Sequence, residues 1–153
     1  MRIAVGSDHA GVELKAEVVS FLKEWGHEVE DFGTHDSKSV DFPDYAIPVA
    51  RAVASEQFDR GILVCSNGVG VSIVANKVKG ARAALCSDTF SSRRAREHTK
   101  ANVLCLGELV IGKGLARDVV EAWLTAEYLG DKPDGEKYAR RLAKLNALDE
   151  DRR

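Results

Sequence analysis

Short apolar runs alternate along the chain with longer stretches in which apolar residues recur at helical spacing. Each short run is rich in aliphatic residues and bounded by glycine or polar turn residues, so it predicts a β-strand. Strands that alternate with helices are typical of βαβ units, which build a parallel sheet. The five predicted strands cover residues 3–5, 28–32, 61–64, 81–85 and 102–106.

The predicted helices lie between these strands and after the last one. The first places Leu14, Val18 and Leu22 one turn apart, and Gly26 follows where a C-terminal cap is expected. In the second helix, Pro48 must lie in the first turn, where a missing N–H is tolerated. The remaining predictions place helices at residues 46–54, about 71–77, about 88–98, 115–124 and 138–148.

This order of elements predicts a single α/β domain over residues 1–153. The expected fold is a doubly wound, five-stranded parallel sheet in a Rossmann-like or flavodoxin-like three-layer sandwich. The last helix is additional to that fold, and it forms a C-terminal arm at about residues 135–150. Because the strands are parallel, their carboxyl ends meet at one edge of the sheet, which is where such folds bind ligands.

Composition narrows the functional classes. With 153 residues, 44% hydrophobic residues and a net charge of -2, the chain gives no reason to expect a nucleic-acid or membrane partner. Its three cysteines lack CxxC spacing, so neither a disulfide framework nor a zinc site is predicted. No apolar stretch reaches the length of a signal peptide or a membrane span, and reduced thiols favour a cytoplasmic location.

The strongest chemical signal is the segment from Cys65 to Ser72, in which the third strand runs into a glycine loop and then a helix. Gly68 and Gly70 permit a tight turn whose backbone N–H groups can converge on an anion. A thiol is a poor base until a helix N-terminus or a cation favours the thiolate, and this geometry supplies a helix N-terminus. The alternative is an inert cysteine beside an ordinary turn.

Other polar residues are weaker candidates. Asp8 and His9 follow the first strand and are either ligand contacts or solvated turn residues. A dinucleotide site is a competing interpretation, since Asp31 lies about where a ribose-binding acid belongs, but the first turn lacks the central glycine of GxGxxG. His98 is either functional or a helix C-terminal residue that complements the dipole. The two other cysteines, Cys86 and Cys105, are expected in the core.

Several ordered motifs carry a family resemblance. They are Ser7-Asp8-His9-Ala10-Gly11, Phe32-Gly33-Thr34, Asp41-Phe42-Pro43, the Cys65 to Ser72 loop with Ala75-Asn76-Lys77, and Arg96-Glu97-His98. Together they resemble the ribose-5-phosphate isomerase type B family, which includes the galactose-6-phosphate isomerase subunits. The similarity extends from residue 1 to about residue 128 and more loosely through the last helix.

The resemblance implies a cofactor-independent aldose–ketose isomerase without a metal, acting on a sugar or sugar phosphate. It also implies a homodimer or a dimer of dimers with shared active sites. Cys65 would be the base that moves a proton between C1 and C2, and His98 would assist ring opening. The residues that would contact the substrate are Asp8, His9, Ser66, Asn67, Gly68, Val69, Gly70, Thr99, Lys137 and Arg141.

Some positions depart from the family pattern. They are positions expected to contact the substrate, whereas Cys65 and His98 are retained. Thr99 stands where Asn is usual, and Leu109 stands where an arginine commonly meets the phosphate. Lys137 also replaces a usual arginine, Phe42 replaces Tyr, and Ser66-Asn67 replace Gly-Thr. The expected reaction is interconversion of ribose 5-phosphate and ribulose 5-phosphate through an enediolate. The alternatives are isomerisation of another pentose or hexose, free or phosphorylated, and a non-catalytic flavodoxin-like metabolite-binding domain.

Overall fold

Five strands form one parallel sheet in the computed structural model, which describes residues 1–150. Their spatial order is β2-β1-β3-β5-β4, so the last two strands exchange places relative to the flavodoxin order. The predicted parallel five-stranded sheet is confirmed. The strands are β1 (Arg2–Ser7), β2 (Glu28–Asp31), β3 (Arg60–Cys65), β4 (Ala83–Leu85) and β5 (Val103–Gly107).

Helices cover both faces of the sheet, as predicted for a three-layer sandwich. One core lies under α1 and α5, where Val18 and Trp123 are fully buried against Leu104 of the sheet. The other core lies under α2 and α3, around Val49 and Val71. The helices are α1 (Val12–Glu24), α2 (Phe42–Ala54), α3 (Val69–Ala75), α4 (Thr89–Thr99), α5 (Lys113–Thr125) and α6 (Glu136–Ala147).

The sixth helix is the least buried element. None of its residues is buried, and Leu145 and Leu148 are exposed although they lie on its apolar face. The helix contacts α4 and the short 3-10 segment Leu129–Asp131. No helix within residues 1–150 combines the length and apolar character needed to cross a bilayer.

The second helix begins earlier than predicted, and the expectation for Pro48 is wrong. Asp41 occupies the N-cap position and Pro43 lies in the first turn, so Pro48 is inside the helix. A proline ring fixes the backbone angle that a first helical turn requires, which explains the start near Pro43. Burial of the apolar face at Val49 and Val53 holds the helix across the missing hydrogen bond of Pro48.

The fourth strand is shorter than predicted. The segment was expected to pair from residue 81, whereas the ladder begins at Ala83. Side chains replace the ladder before that point, because the Arg82 N–H donates to Asn102 Oδ1 at 2.7 Å and the Ala83 N–H donates to Asn76 Oδ1 at 2.9 Å.

A buried ion pair joins the first helix to the second strand. Lys15 Nζ donates to Asp31 Oδ1 at 2.6 Å, and the Lys15 side chain is almost entirely buried. The same carboxylate oxygen accepts the Gly33 N–H at 2.8 Å. Asp31 is therefore engaged within the protein, which argues against the interpretation of this residue as a ribose-binding acid.

Asp31→Asn should lower the free energy of unfolding by about 2 to 4 kcal/mol, because it leaves the Lys15 charge buried without a partner. Asparagine still offers an oxygen to accept the Gly33 N–H. The loss of unfolding free energy therefore measures the removal of the Asp31 charge. Adding Lys15→Met to Asp31→Asn should recover part of that loss. Urea unfolding of the two single variants and the double variant measures these differences, and a double variant as unstable as the sum of the single ones would contradict the prediction.

Candidate active site

The carboxyl ends of β1, β3 and β5 form the edge that carries the candidate residues. The register pairs Ser7 with Val64 and Cys65 with Gly107, so the three strands end at nearly the same level. The turn after β1 packs directly on the end of β3, since a Cβ at Gly11 would lie 2.7 Å from the Val64 carbonyl. Asp8, His9 and the Cys65 loop therefore share one surface.

Cys65 is the last residue of β3, and its sulfur faces the following loop. The Gly68 N–H donates to Cys65 Sγ at 3.0 Å, and Asn67 Oδ1 lies 3.9 Å from the same sulfur. A backbone N–H directed at sulfur stabilises the thiolate form of the cysteine. The predicted loop geometry is therefore present, with Gly68 as the donor.

Glycine is required at two positions around this loop. Gly68 has φ of +79°, and a Cβ there would lie only 2.4 Å from Leu85 Cδ1. At Gly107, a Cβ would lie 2.7 Å from the Cα of Asn67. The loop is thus held against β5 by contacts that no larger residue permits.

The loop contains backbone donors that the protein does not use. The Gly68 N–H is bonded to the sulfur, and the Val69 N–H donates to Asn67 Oδ1 at 3.0 Å. Among residues 1–150, no acceptor is present for the N–H groups of Ser66, Asn67 and Gly70. These three donors are free to meet a negatively charged oxygen.

Asp8 and His9 border the loop from the side of β1. Asp8 Oδ1 accepts the Ala10 N–H at 3.0 Å, and the carboxylate is largely buried. His9 Nδ1 accepts the Val40 N–H at 3.2 Å, which places the ring proton on Nε2. His9 is therefore oriented as a hydrogen-bond donor.

Phe42 covers the other side of the loop. Its ring carbons lie 3.1 to 3.4 Å from the position that a Cβ at Gly70 would occupy. A phenyl ring contributes shape at this point but no hydroxyl hydrogen bond.

Cys86 and Cys105 are buried, which confirms the prediction that both belong to the core. Burial raises the pKa of Cys86 to about 11, with a smaller contribution from the charge of Asp88. Complete burial also raises the pKa of Cys105. Both thiols remain protonated near neutral pH, so neither competes with Cys65 as a base. Within residues 1–150, His, Cys, Asp and Glu side chains form no group of three or more that could hold a metal ion.

His98 lies at the opposite edge of the sheet from Cys65. It belongs to the last turn of α4, which runs back from the carboxyl edge and leads through Lys100 into the start of β5. Because Cys65 is level with Gly107 and β5 starts at Val103, about 13 Å of strand separates the two levels. The two predicted catalytic residues are thus not brought together within one chain.

His98 is instead part of a cationic cluster between α4 and α6. The His98 and Tyr138 rings stack with centroids 4.8 Å apart, and Arg94 Nη1 lies 3.3 Å from His98 Nε2. Lys137 and Arg141 lie 5.0 and 5.9 Å from the centre of the Tyr138 ring. Both cations lack an ion-pair partner among residues 1–150.

Two members of this cluster, Arg94 and Tyr138, were not predicted as site residues. Arg94 precedes His98 by one helical turn, and that spacing was a usable signal. Tyr138 lies on the predicted apolar face of the last helix, and the sequence pattern does not reveal which surface that face contacts. Thr99, a predicted substrate contact, donates its hydroxyl to the Ala95 carbonyl at 2.6 Å.

The segment after β5 contains one departure from the family pattern, which is Leu109. Glu108 Oε2 accepts the Leu14 N–H at 2.8 Å and so caps α1, whose own N-cap residue Gly11 offers no side chain. The next residue, Leu109, is 80% exposed. No cation stands at this point beside the loop.

The parallel α/β sheet, with a thiol and unpartnered backbone N–H groups at its carboxyl edge, agrees with a sugar isomerase. Residues 3–145 match the model of the Ribose/Galactose Isomerase family. The chain belongs to this family.

Individual relatives agree with the family match. Ribose-5-phosphate isomerase B of Escherichia coli is 44% identical over 151 residues, which make up 99% of this chain and 98% of that protein. D-erythrulose-4-phosphate isomerase of Pectobacterium atrosepticum is 42% identical, over 85% of this chain and 86% of the relative. The solved structure of ribose-5-phosphate isomerase B from Clostridium thermocellum is 48% identical, with a TM-score of 0.93 and 99% coverage of both chains.

Alkylation should distinguish the three thiols. At about pH 8, iodoacetamide should modify Cys65 first, because the raised pKa values keep Cys86 and Cys105 protonated. Peptide mass spectrometry of the folded protein locates the label. Modification of Cys86 at an equal or higher rate would contradict this assignment, and complete labelling after denaturation serves as the control.

Proposed function

We propose that this chain interconverts ribose 5-phosphate and ribulose 5-phosphate without a cofactor. The observation that carries the proposal is the thiol of Cys65 at the strand end, oriented by the Gly68 N–H and followed by open backbone donors. The family relationship gives the reaction class. Three free cysteines are consistent with a cytoplasmic enzyme.

In the proposed reaction, the Cys65 thiolate removes the C2 proton of the open-chain aldose. Electrons from the C2–H bond form the C1–C2 double bond of an enediolate, and negative charge develops on the carbonyl oxygen. We propose that the N–H groups of Ser66, Asn67 and Gly70, which have no acceptor among residues 1–150, stabilise that charge. Return of the proton to C1, with transfer of the hydroxyl proton from O2 to O1, gives the ketose.

A complete site requires two copies of the chain. Cys65 and His98 lie at opposite edges of the sheet, so we propose that His98 serves the loop of a second subunit. Exposed apolar side chains surround the loop, including Val69, Ile73 and Leu85, and they offer a surface for that subunit. In this arrangement His98 assists opening of the furanose ring of a substrate bound beside the partner's loop.

The same arrangement brings phosphate-binding charge to the site. Lys137 and Arg141 stand next to His98 through the Tyr138 ring, and no carboxylate of residues 1–150 forms an ion pair with either cation. We propose that these two side chains of one subunit bind the phosphate of a substrate held by the other. We propose that His9, whose Nδ1 accepts the Val40 N–H, donates to the substrate through Nε2.

The residue at position 109 favours considering a second candidate substrate. This position commonly carries an arginine in the family, and here an exposed leucine leaves the phosphate with one cation fewer. Charge-assisted contacts contribute about 1.5 to 3 kcal/mol each, so the loss would weaken ribose 5-phosphate binding by roughly tenfold or more. Another sugar phosphate is therefore the alternative, and the relative from Pectobacterium atrosepticum bears the name of a four-carbon sugar-phosphate isomerase.

Cys65→Ala should lower turnover by at least about a hundredfold, since positioned acid–base groups contribute that much or more. Cys86→Ala is the matched control and should retain wild-type turnover, because its thiol is buried away from the loop. NMR in heavy water follows isomerisation and deuterium incorporation, with ribose 5-phosphate compared with four-carbon and six-carbon sugar phosphates.

Each outcome of this assay decides a separate point. Near-normal turnover by folded Cys65→Ala would remove Cys65 as the base. Faster turnover of another sugar phosphate, with the same dependence on Cys65, would replace ribose 5-phosphate as the substrate but keep the reaction.

Mixing two inactive variants tests the shared site. When Cys65→Ala and His98→Ala chains are co-expressed in equal amounts, half of the dimers are mixed, and one of the two sites in each mixed dimer contains neither substitution. Activity should therefore return to about a quarter of the wild-type value. As the reference for subunit exchange, chains that carry both Cys65→Ala and His98→Ala are co-expressed with wild-type chains. No recovery from the two single variants, with mixed dimers isolated by differential tags, would show that each site is built from one chain.

A further inference from the structure

A second polar pocket lies at the amino edge of the sheet, opposite the Cys65 loop. It has a volume of about 390 Å³ and is bordered by the starts of β3 and β5, the last turn of α4 and the residue before β4. Val53 and Phe58 form its apolar wall. None of the residues assigned to the isomerase site lines it.

Four cationic side chains line this pocket: Arg60, Arg82, Arg96 and Lys100. Arg96 is only 8% exposed, although arginine is almost never buried without a partner. Its Nη1 donates to the Ala101 carbonyl at 3.1 Å, while its Nε is buried without a hydrogen-bond partner. Arg60 Nε is likewise buried and unpartnered, although its Nη1 donates to the Asp59 carbonyl.

The acidic groups around the pocket are fewer and already engaged. Glu56 and Asp59 line it, and Asp59 Oδ2 accepts the Arg2 N–H at 2.7 Å. Asp131 pairs with Lys100 at 3.3 Å, and Asp149 accepts the Gly80 N–H at 2.9 Å. Tyr128 also faces Arg82, and its hydroxyl is buried without a partner. No carboxylate within residues 1–150 forms an ion pair with Arg60, Arg82 or Arg96.

The cations of the pocket repel one another. Burial, together with the charges of Arg60 and Arg82, lowers the pKa of Arg96 to about 10 against the opposing effect of Asp131. Burial also lowers the pKa of Arg60, where Asp59 opposes the effect and Arg82 adds to it. A bound anion would relieve this repulsion.

We propose that this pocket binds a phosphoryl group, as inorganic phosphate or as part of a small phosphorylated metabolite. Guanidinium groups that converge from separate elements match the several oxygens of a phosphate. Arg82 and Arg96 also have a structural role, since both donate to backbone carbonyls near the start of β5. That role accounts for their Nη groups and leaves the Nε–H groups of Arg60 and Arg96 unexplained.

Arg60 is the residue to substitute, because its one side-chain hydrogen bond within residues 1–150 goes to the neighbouring Asp59 carbonyl and it stands apart from the isomerase site. The experiment uses full-length protein carrying Lys137→Ala and Arg141→Ala, which remove the two α6 cations proposed to bind phosphate. Into this background Arg60→Gln is introduced, and Arg93→Gln on the exposed face of α4 is the charge-matched control. Inorganic phosphate is titrated at constant ionic strength while NMR follows the arginine Nε–H resonances.

The expected result is a saturable shift of the Arg60 and Arg96 Nε–H resonances, accompanied by a rise in Tm. Arg60→Gln should weaken the phosphate affinity, read at Arg96, by at least about tenfold, whereas Arg93→Gln should leave it unchanged. Without phosphate, Arg60→Gln should be as stable as its background or more stable, because one repelling charge is removed. A purely structural arginine would instead lose stability under both conditions.

Two further arms complete the test. If Arg60→Gln folds poorly, the phosphate affinity is measured with Lys100→Gln instead. This substitution should also weaken phosphate binding. Titration with adenosine monophosphate distinguishes inorganic phosphate from a phosphorylated metabolite as the ligand. An affinity at least tenfold above that of inorganic phosphate indicates a phosphorylated metabolite, and an equal affinity indicates that the pocket recognises the phosphate alone. The proposal is overturned if no saturable shift occurs at either Nε–H, or if Arg60→Gln and Lys100→Gln bind phosphate as well as their background.

Discussion

The hydrogen bond from the Gly68 N–H to Cys65 Sγ depends on a backbone reversal within three residues of a buried strand. That reversal needs the positive φ of Gly68, and it also needs the missing side chain, because β5 and Leu85 occupy the space where a Cβ would project. Gly107 meets the same loop from the other side. The position of the sulfur, the start of α3 and the open N–H groups all follow from this close packing of the loop against β5. A residue with a side chain at Gly68 would move all three together.

Much of this arrangement could be predicted because it is encoded locally. The order of strands and helices follows from hydrophobic periodicity, and parallel strands necessarily gather Asp8, His9 and Cys65 at one edge. The start of α2 was missed because an internal proline normally marks a boundary, whereas burial of Val49 and Val53 outweighs one lost hydrogen bond. The exchange of β4 and β5 in the sheet was not foreseen, since nothing in a strand's own sequence specifies its neighbour.

The position of His98 could have been anticipated from the same elements. A helix that follows a strand in a βαβ unit returns to the amino edge, so the last residue of an eleven-residue helix must lie far from the strand ends. The stacking of Tyr138 on His98 could not be anticipated, because it depends on how α6 lies across α4. The sequence thus predicts Cys65 and His98 as the catalytic residues, and only the fold shows that one chain holds them apart. In one chain, the Cys65 thiol and the unpartnered N–H groups of its loop lie at the carboxyl edge of the sheet, and the cations of α4 and α6 lie at the amino edge.

After β5, Glu108 has a structural role, and the next residue, Leu109, departs from the family pattern. The Glu108 carboxylate supplies the cap that Gly11 cannot provide, and it ties the end of β5 to the start of α1. Leu109 then points into solvent with no charge to offer a phosphate. In the proposed shared site, phosphate recognition falls to Lys137 and Arg141 on α6. Because the Tyr138 ring contacts both His98 and these cations, the proposed phosphate-binding groups and the proposed ring-opening group lie in one contact cluster.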